Sequence, residues 1–414
     1  MFFRFNHGYF HSHEASSSEV SGFSFPKIKE ATALYLAHFL RTFSLSFSGI
    51  YIPIFIFGLM NKPIASESVF LNNIFWVLIY YLGYAIFVSL ANIFLADLLF
   101  QKLGFRTSIL LSMLFLIGLI ACFVYAEKSY WFIVLGSVFA AFSVHFYWIP
   151  FHIFFLRKAN DGGNFGNESA SQLLTATVAG ALGPLAAGLI LKFFDFNILF
   201  LLTSFLLMLS SLPILFFVND SKHGEHRFKK IFFNYIFNPK FRKLNLAFAG
   251  NGIDGLLFDI FWPILLFLVL NDFVKLGGLV SFSTVLSAII MIWVGRPLEN
   301  KKAGWWRKGS VVTNSLLYFF RIFVITPPGL LAIDIIDRFN GKIYTTSILA
   351  ETYDRAKSMD FGESDFIIYR EIITHLGQVI GLLLALVLVF TLANWKLVFL
   401  IPGLASLLVY LLYL

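Results

Sequence analysis

From residue 32 onward the chain alternates long apolar runs with short polar joints. The runs, with soft ends, are 32–60, 69–99, 107–126, 130–156, 170–191 and 197–218, then 244–270, 277–294, 309–326, 328–350, 366–390 and 394–413. Each has roughly the 18 residues or more that a helix needs to cross the hydrocarbon of a bilayer. The ninth and tenth are separated only by Pro327-Pro328-Gly329. Proline cannot continue the first of these helices, which predicts a tight reversal there. Composition agrees: 58% of residues are hydrophobic and 13% charged, against roughly 25% charged in a soluble domain. The predicted fold class is therefore an all-α membrane protein of twelve transmembrane helices.

Between the sixth and seventh runs lies the polar stretch 219–243, NDSKHGEHRFKKIFFNYIFNPKFRK. Lys222, Arg227, Lys229, Lys230, Lys240, Arg242 and Lys243 stand in it against Asp220 and Glu225. It divides the chain into a tail (1–30), a six-helix bundle (31–218), a basic linker (219–243) and a second six-helix bundle (244–414). Alternate joints collect the basic residues: Arg4, Lys27 and Lys29, Lys102 and Arg106, Arg157 and Lys158, the linker, Arg296 to Lys308, and Arg355 with Lys357. The other joints hold Lys62, Lys128, Lys192, Lys275 and Lys396. Because cytoplasmic loops are the basic ones, the linker and both termini are predicted on the cytoplasmic side, in the cell membrane.

The net charge of +8 sits in short loops between apolar runs, which argues against a nucleic-acid partner. Cys122 is the single cysteine, so a disulfide within the chain and a cysteine metal site are both excluded. His7, His11 and His13 read as part of a loosely ordered tail rather than a metal site. The tail lacks the apolar core and cleavage site of a secretory signal.

Three local patterns refine the picture. Gly295-Arg296-Pro297-Leu298-Glu299-Asn300-Lys301-Lys302 joins the eighth and ninth runs. Its counterpart in the first half is Gln101-Lys102-Leu103-Gly104-Phe105-Arg106. In the fifth run, Gly180, Gly183, Pro184 and Gly188 set small residues three and four apart around a proline. Such a face suits close helix packing, and the proline permits a bend. The loop at 157–169 is glycine-rich, but it lacks the Gly-Lys-Ser/Thr ending of a phosphate loop. It reads as a joint, with Asn167 or Ser169 capping the next helix.

Two six-span halves, a long basic connection and these motifs resemble the major facilitator superfamily of secondary transporters. The resemblance implies a pseudo-symmetric 6+6 fold. Gly295, Arg296, Glu299 and Lys301 match the family's loop signature, and Gly104 and Arg106 its first-half copy. Gln101 stands there in place of the usual acid, which puts the family's ion-pair latch in doubt. Gly183, Pro184 and Gly188 are similar to the family's antiporter motif, which implies export; the bland reading is an ordinary packing seam.

Ionisable groups inside a bilayer cost roughly 2.5–3.5 kcal/mol each at mid-helix, so each calls for a reason. Asp254 and Asp259 fall in the seventh run, Asp334, Asp337 and Arg338 in the tenth, Arg41 in the first and His145 in the fourth. Asp334 and Arg338 are four apart and share a helix face. Arg370, Glu371 and His375 open the eleventh run and read as interfacial. Either these groups are structural (snorkelling for Arg41, a packed neutral ring for His145, a buried pair for Asp337 with Arg338), or they bind substrate and protons. Tyr147 and Trp148 either line a pocket or face lipid. The family's first, fourth, seventh and tenth helices line its cavity, and all four carry such groups here.

The implied mechanism is alternating access, in which a carboxylate in a low-dielectric cavity carries a proton. The predicted function is proton-coupled export of a small organic solute by a monomer in contact with lipid, with no cofactor and no metal. The chain contains no ATP-binding segment, so an ion gradient or the substrate's own gradient would drive it. A non-transporting sensor or scaffold of the same fold is the alternative. An enzyme is disfavoured, because neither a His-Glu metal box nor a Gly-x-Ser-x-Gly elbow is present.

Overall fold

Where the apolar runs lie, the computed structural model has helices. It describes residues 30–59, 69–96, 98, 102–160, 165–219, 235–294, 303–358, 362–392 and 394–414. The N-terminal tail, the linker between Asp220 and Asn234, Asp97, Gln101, and the loop motif with Gly295, Arg296, Glu299 and Lys301 lie outside the described residues. So do residues 161–164 and the side chains of 154–176.

The elements are α1 (Glu30–Ser48), α2 (Ile52–Leu59), α3 (Val69–Phe94), α4 (Phe105–Tyr125), α5 (Trp131–Asn160), α6 (Phe165–Phe193), α7 (Phe196–Phe217), α8 (Arg242–Leu270), α9 (Phe273–Val294), α10 (Ala303–Phe323), α11 (Pro327–Ser358), α12 (Glu363–Thr391) and α13 (Leu400–Leu408). Short 3-10 turns precede α8 and flank α13. No strand occurs among the described residues. Within them, nine stretches are long and apolar enough to cross a membrane, and Thr177–Phe193 is a shorter apolar helix. The protein is thus an integral, multi-pass membrane protein. The helices α10 and α11 are long but carry Arg307, Lys308 and Arg321, and Asp334, Asp337 and Arg338.

Local chemistry explains the boundaries. The first run is two helices, broken at Gly49 to Tyr51. Pro53 sits in the first turn of α2, where the missing N–H has no partner to lose. Asp195 caps α7 by accepting from the Ile198 N–H at 3.0 Å. Asn271 ends α8 in the left-handed conformation, at φ 47°. The next residue, Asp272, accepts from the Lys275 N–H at 2.8 Å, and that bond holds its exposed carboxyl below the ordinary range. The reversal expected at Pro327-Pro328-Gly329 lies instead at residues 324–326. The two prolines open α11, because a helix start needs no proline N–H. Arg242 and Lys243, read as linker, are the first residues of α8.

The surface is apolar along whole helix faces. Leu201, Phe205, Met208, Leu212 and Phe216 form one exposed stripe on α7, and Ile380, Leu383, Leu384 and Val387 another on α12. Contiguous faces of this kind need lipid around them. Interior hydroxyls bond to their own helices, as Ser44 does to the Leu40 carbonyl at 2.6 Å and Thr203 to that of Leu199 at 2.9 Å. Phe55 packs edge-on to Phe200 at 5.0 Å and against Phe123 and Phe196 in the main core.

In the first half α1 packs on α6 and α7, and α5 on α3 and α4. In the second, α8 packs on α12 and α13, and α10 on α11 and α13. The main crossings between the halves are α6 with α9 and α3 with α12, and lesser contacts join α2 to α8, α5 to α12 and α6 to α11. The motif residues of α6 build the first. A Cβ on Gly188 would stand 2.4 Å from the Phe273 carbonyl oxygen, and one on Gly277 2.2 Å from that of Pro184. Gly183 meets Ser46 of α1 in the same way. The Tyr51 hydroxyl donates to the Pro184 carbonyl at 2.7 Å and lies 3.1 Å from that of Phe273.

Within the second half α8 and α12 approach as closely: a Cβ on Gly252 would lie 2.0 Å from the Thr374 carbonyl oxygen, whereas one on Gly255 meets nothing within 4 Å. Gly252→Ala is therefore expected to destabilise by about 1–3 kcal/mol through overpacking. Gly255→Ala is expected to be neutral or stabilising by up to about 1 kcal/mol. Thermal unfolding of the two variants in detergent checks the contrast.

Candidate functional site

A cavity of about 530 Å³ lies between the two halves of the chain. Its wall takes Arg41, Ser46 and Gly49 from the first run, Tyr80, Tyr81 and Tyr84 from α3, Ser143 and Trp148 from α5, and Gly180 and Pro184 from α6. From beyond the linker come Phe258, Asp259 and Trp262 of α8, Val280 of α9 and Arg338 of α11. The break in the first run places Gly49 and Ile50 on this wall. The volume falls within the range of small-molecule sites, roughly 300–1,000 Å³.

Three of the charged residues singled out in the sequence meet here. Asp259 lies deep in the bundle and is exposed, its surface facing the cavity. Among the described residues no hydrogen bond or ion pair answers it. Arg338 shows part of its side chain to the cavity, and its Nε donates to Asp334 Oδ2 at 2.6 Å. Arg41 is 4% exposed. Its guanidinium lies over the Tyr147 ring at 3.7 Å, with Trp148 at 5.9 Å. It does not snorkel: its head is held against the rings of Tyr147 and Trp148. Trp148 lines the cavity, while Tyr147 is buried beneath Arg41 and touches neither lipid nor the cavity.

The other candidates do not line the cavity. Asp334 is fully buried behind the wall, where it accepts from Trp262 Nε1 at 2.8 Å as well as from Arg338. It thereby fixes two wall residues at once. Asp254 accepts from Asn314 Nδ2 at 3.0 Å, and the Tyr318 hydroxyl donates to its backbone carbonyl at 3.3 Å. Asp337 pairs with Arg321 of α10 at 2.5 Å rather than with its neighbour Arg338. His145 Nδ1 meets Asn92 Oδ1 of α3 at 2.7 Å. Gly104 stands at the N-cap of α4, with Arg106 in its first turn.

Sequence reading passed over Arg321, the tyrosines of α3 and a second polar group. Arg321 is fully buried, ringed by Phe258, Trp262 and Tyr318 at 4.9, 4.8 and 4.4 Å. Its signal was available, since it stands alone between Phe320 and Ile322 well inside an apolar run. Glu371, read as interfacial, is buried, 3.1 Å from Arg370 and 3.5 Å from His375. His152 of α5 reaches the Tyr353 hydroxyl of α11 at 2.7 Å and stacks on Trp148.

No protein-family model and no curated protein sequence matches the chain. Solved structures do. The human organic anion transporter MFSD10 (TETRAN) is 11% identical, with a TM-score of 0.60, over 94% of this chain and 100% of that one. An auto-inhibited POT family peptide transporter is 12% identical, with a TM-score of 0.62, over 93% of this chain and 96% of that one. Both have the major facilitator fold, and this chain shares it.

The pair of Arg321 and Asp337 gives a test of the buried network. Removing one partner leaves an uncompensated charge, so Arg321→Leu is expected to lose about 3–5 kcal/mol of stability. The double variant Arg321→Leu with Asp337→Leu is expected to recover most of it. The thermal midpoints of the two variants and of the parent in detergent read this out.

Proposed function

We propose that this chain is a secondary active transporter that exports a small organic solute in exchange for protons. Twelve crossings form two six-helix bundles, residues 31–218 and 244–414, which rock about the cavity between them. The observation that carries the reading is the unanswered carboxylate of Asp259 in a cavity walled by both bundles. A carboxylate with water on one side and protein on the others is a group that can take up and release a proton as its surroundings change. A solute entering the same space acts on that proton, and this is the basis of coupling.

The topology is supported by contacts at the helix ends. Asn219, after α7, donates to Glu30 at the start of α1 at 2.9 Å, as expected if the first half crosses an even number of times. Arg355, late in α11, donates to the Leu412 carbonyl at 2.7 Å, and Arg307, early in α10, lies 3.7 Å from Glu351. These ends fall in the basic joints, which is the cytoplasmic arrangement of both termini. The α6–α9 crossing rests on the small residues Gly188 and Gly277, whereas α3 meets α12 through Phe75 on Phe390 and Tyr84 on His375. The solved neighbours are named for organic anion and peptide transport; their likeness lends the fold, and the solute is argued from the cavity itself. The cell membrane and a monomeric state complete the reading.

Proteoliposomes holding the purified protein, an imposed pH gradient and a panel of labelled small organic solutes test the reading. The gradient is expected to drive accumulation, and Asp259→Asn to cut that pH-driven component at least about tenfold, the equivalent of about 1.4 kcal/mol, while solute-for-solute exchange persists. A pH response unchanged by Asp259→Asn removes the residue from coupling. Absence of any flux from any solute favours the non-transporting sensor.

A further inference from the structure

We infer that the central cavity takes an organic anion, its acidic group seated on Arg41 and its flat apolar body against the surrounding rings. The inference names the cargo class of the cavity described above, and as a statement about transport it rests on the carrier reading.

The argument starts from what the protein does with its other arginines. Arg321 faces Asp337, Arg338 faces Asp334, Arg355 faces Glu351 and Arg370 faces Glu371, all within 3.1 Å. Arg41 is buried, and among the described residues no carboxylate lies within ion-pair distance of it; its Nε has no hydrogen-bond partner. A guanidinium withdrawn from water without a counter-charge is costly, and an anion brought in from outside would answer it here.

The geometry suits that visitor. The face of the guanidinium is taken by the Tyr147 ring at 3.7 Å. Tyr147 is itself held by a 2.5 Å contact between its hydroxyl and His38 Nδ1. Stacking on a fixed ring sets the plane of the guanidinium and leaves its edge, the fork of N–H donors, for a carboxylate or similar oxyanion. Around it the wall is aromatic, with Tyr80, Tyr81, Tyr84, Trp148 and Trp262. Rings of this number favour a flat apolar body over a sugar or a bare ion. Arg338 is already answered by Asp334, and among the described residues Asp259 is the one carboxylate on the wall.

Equilibrium binding to the full-length protein in nanodiscs decides the matter. The probes are 1-naphthylacetate, its uncharged isostere 1-naphthylacetamide, and inorganic phosphate. The acid is expected to bind at least about tenfold more tightly than the amide, about 1.4 kcal/mol. Arg41→Gln is expected to erase that preference, so that acid and amide bind alike, and Arg41→Lys to keep part of it. Should Arg41→Gln fail to fold, the acid-to-amide ratio in the unmodified protein and its reduction in Arg41→Lys still decide. Equal affinity for acid and amide, no binding of either, or an acid preference that survives Arg41→Gln overturns the inference. Phosphate binding as tightly as the acid overturns the assignment to an organic cargo. Loss of the acid preference beside intact, Asp259-dependent flux removes the anion seat and leaves the carrier. Acid-selective binding in a protein that moves nothing removes the carrier and leaves the seat.

Discussion

Hydrocarbon offers neither a hydrogen bond to a peptide group nor a counter-ion to a charge, and most of this molecule follows from having to supply both internally. Helices satisfy the backbone within each run, and interior hydroxyls such as those of Ser44, Thr203 and Thr284 turn to carbonyls of their own helices. Charges are answered within a helix, as Arg338 is by Asp334, and also across helices: Arg321 of α10 on Asp337 of α11, Trp262 of α8 on Asp334 of α11, Asn314 of α10 on Asp254 of α8. The second half is thereby wired together behind the cavity wall. Against that background Arg41 and Asp259, which among the described residues have no ion-pair partner, stand out, and both face the same space.

The same network separates scaffold from site. Asp334 has two obligations, to Arg338 and to Trp262, and meets both with one carboxylate. Both partners line the cavity, so a residue that never touches a solute fixes part of the surface a solute would meet. Asp254 and Asp337 work further back and hold α8, α10 and α11 in register. Buried ion pairs add little net stability, but an arrangement that parts them is penalised.

The sequence made some of this legible and hid the rest for identifiable reasons. The apolar runs located the helices, since length and hydropathy suffice for a chain in oil. Asp334 with Arg338 was readable because four residues is one helical turn. Arg321 with Asp337 was not, because that pairing depends on how two helices are turned about their axes. In a soluble helix the polar face would report that rotation. Here lipid-facing and core-facing positions are both apolar, and Tyr80, Tyr81 and Tyr84 looked no different from Phe94 or Leu90 until the bundle set the first group on the cavity and the second on the outside. The prolines of α11 misled in a smaller way: they were read as a break and act as a helix start. The break in the first run passed unremarked, although Gly49 and Pro53 bracket it.

That break places Tyr51 where three segments meet. Its phenol owns a single proton, and two backbone oxygens compete for it, Pro184 from one bundle and Phe273 from the other. Gly188 and Gly277 leave room there for the hydroxyl itself. One phenol thus ties α6 to α9, and sliding either helix past the other would stretch at least one of its two contacts.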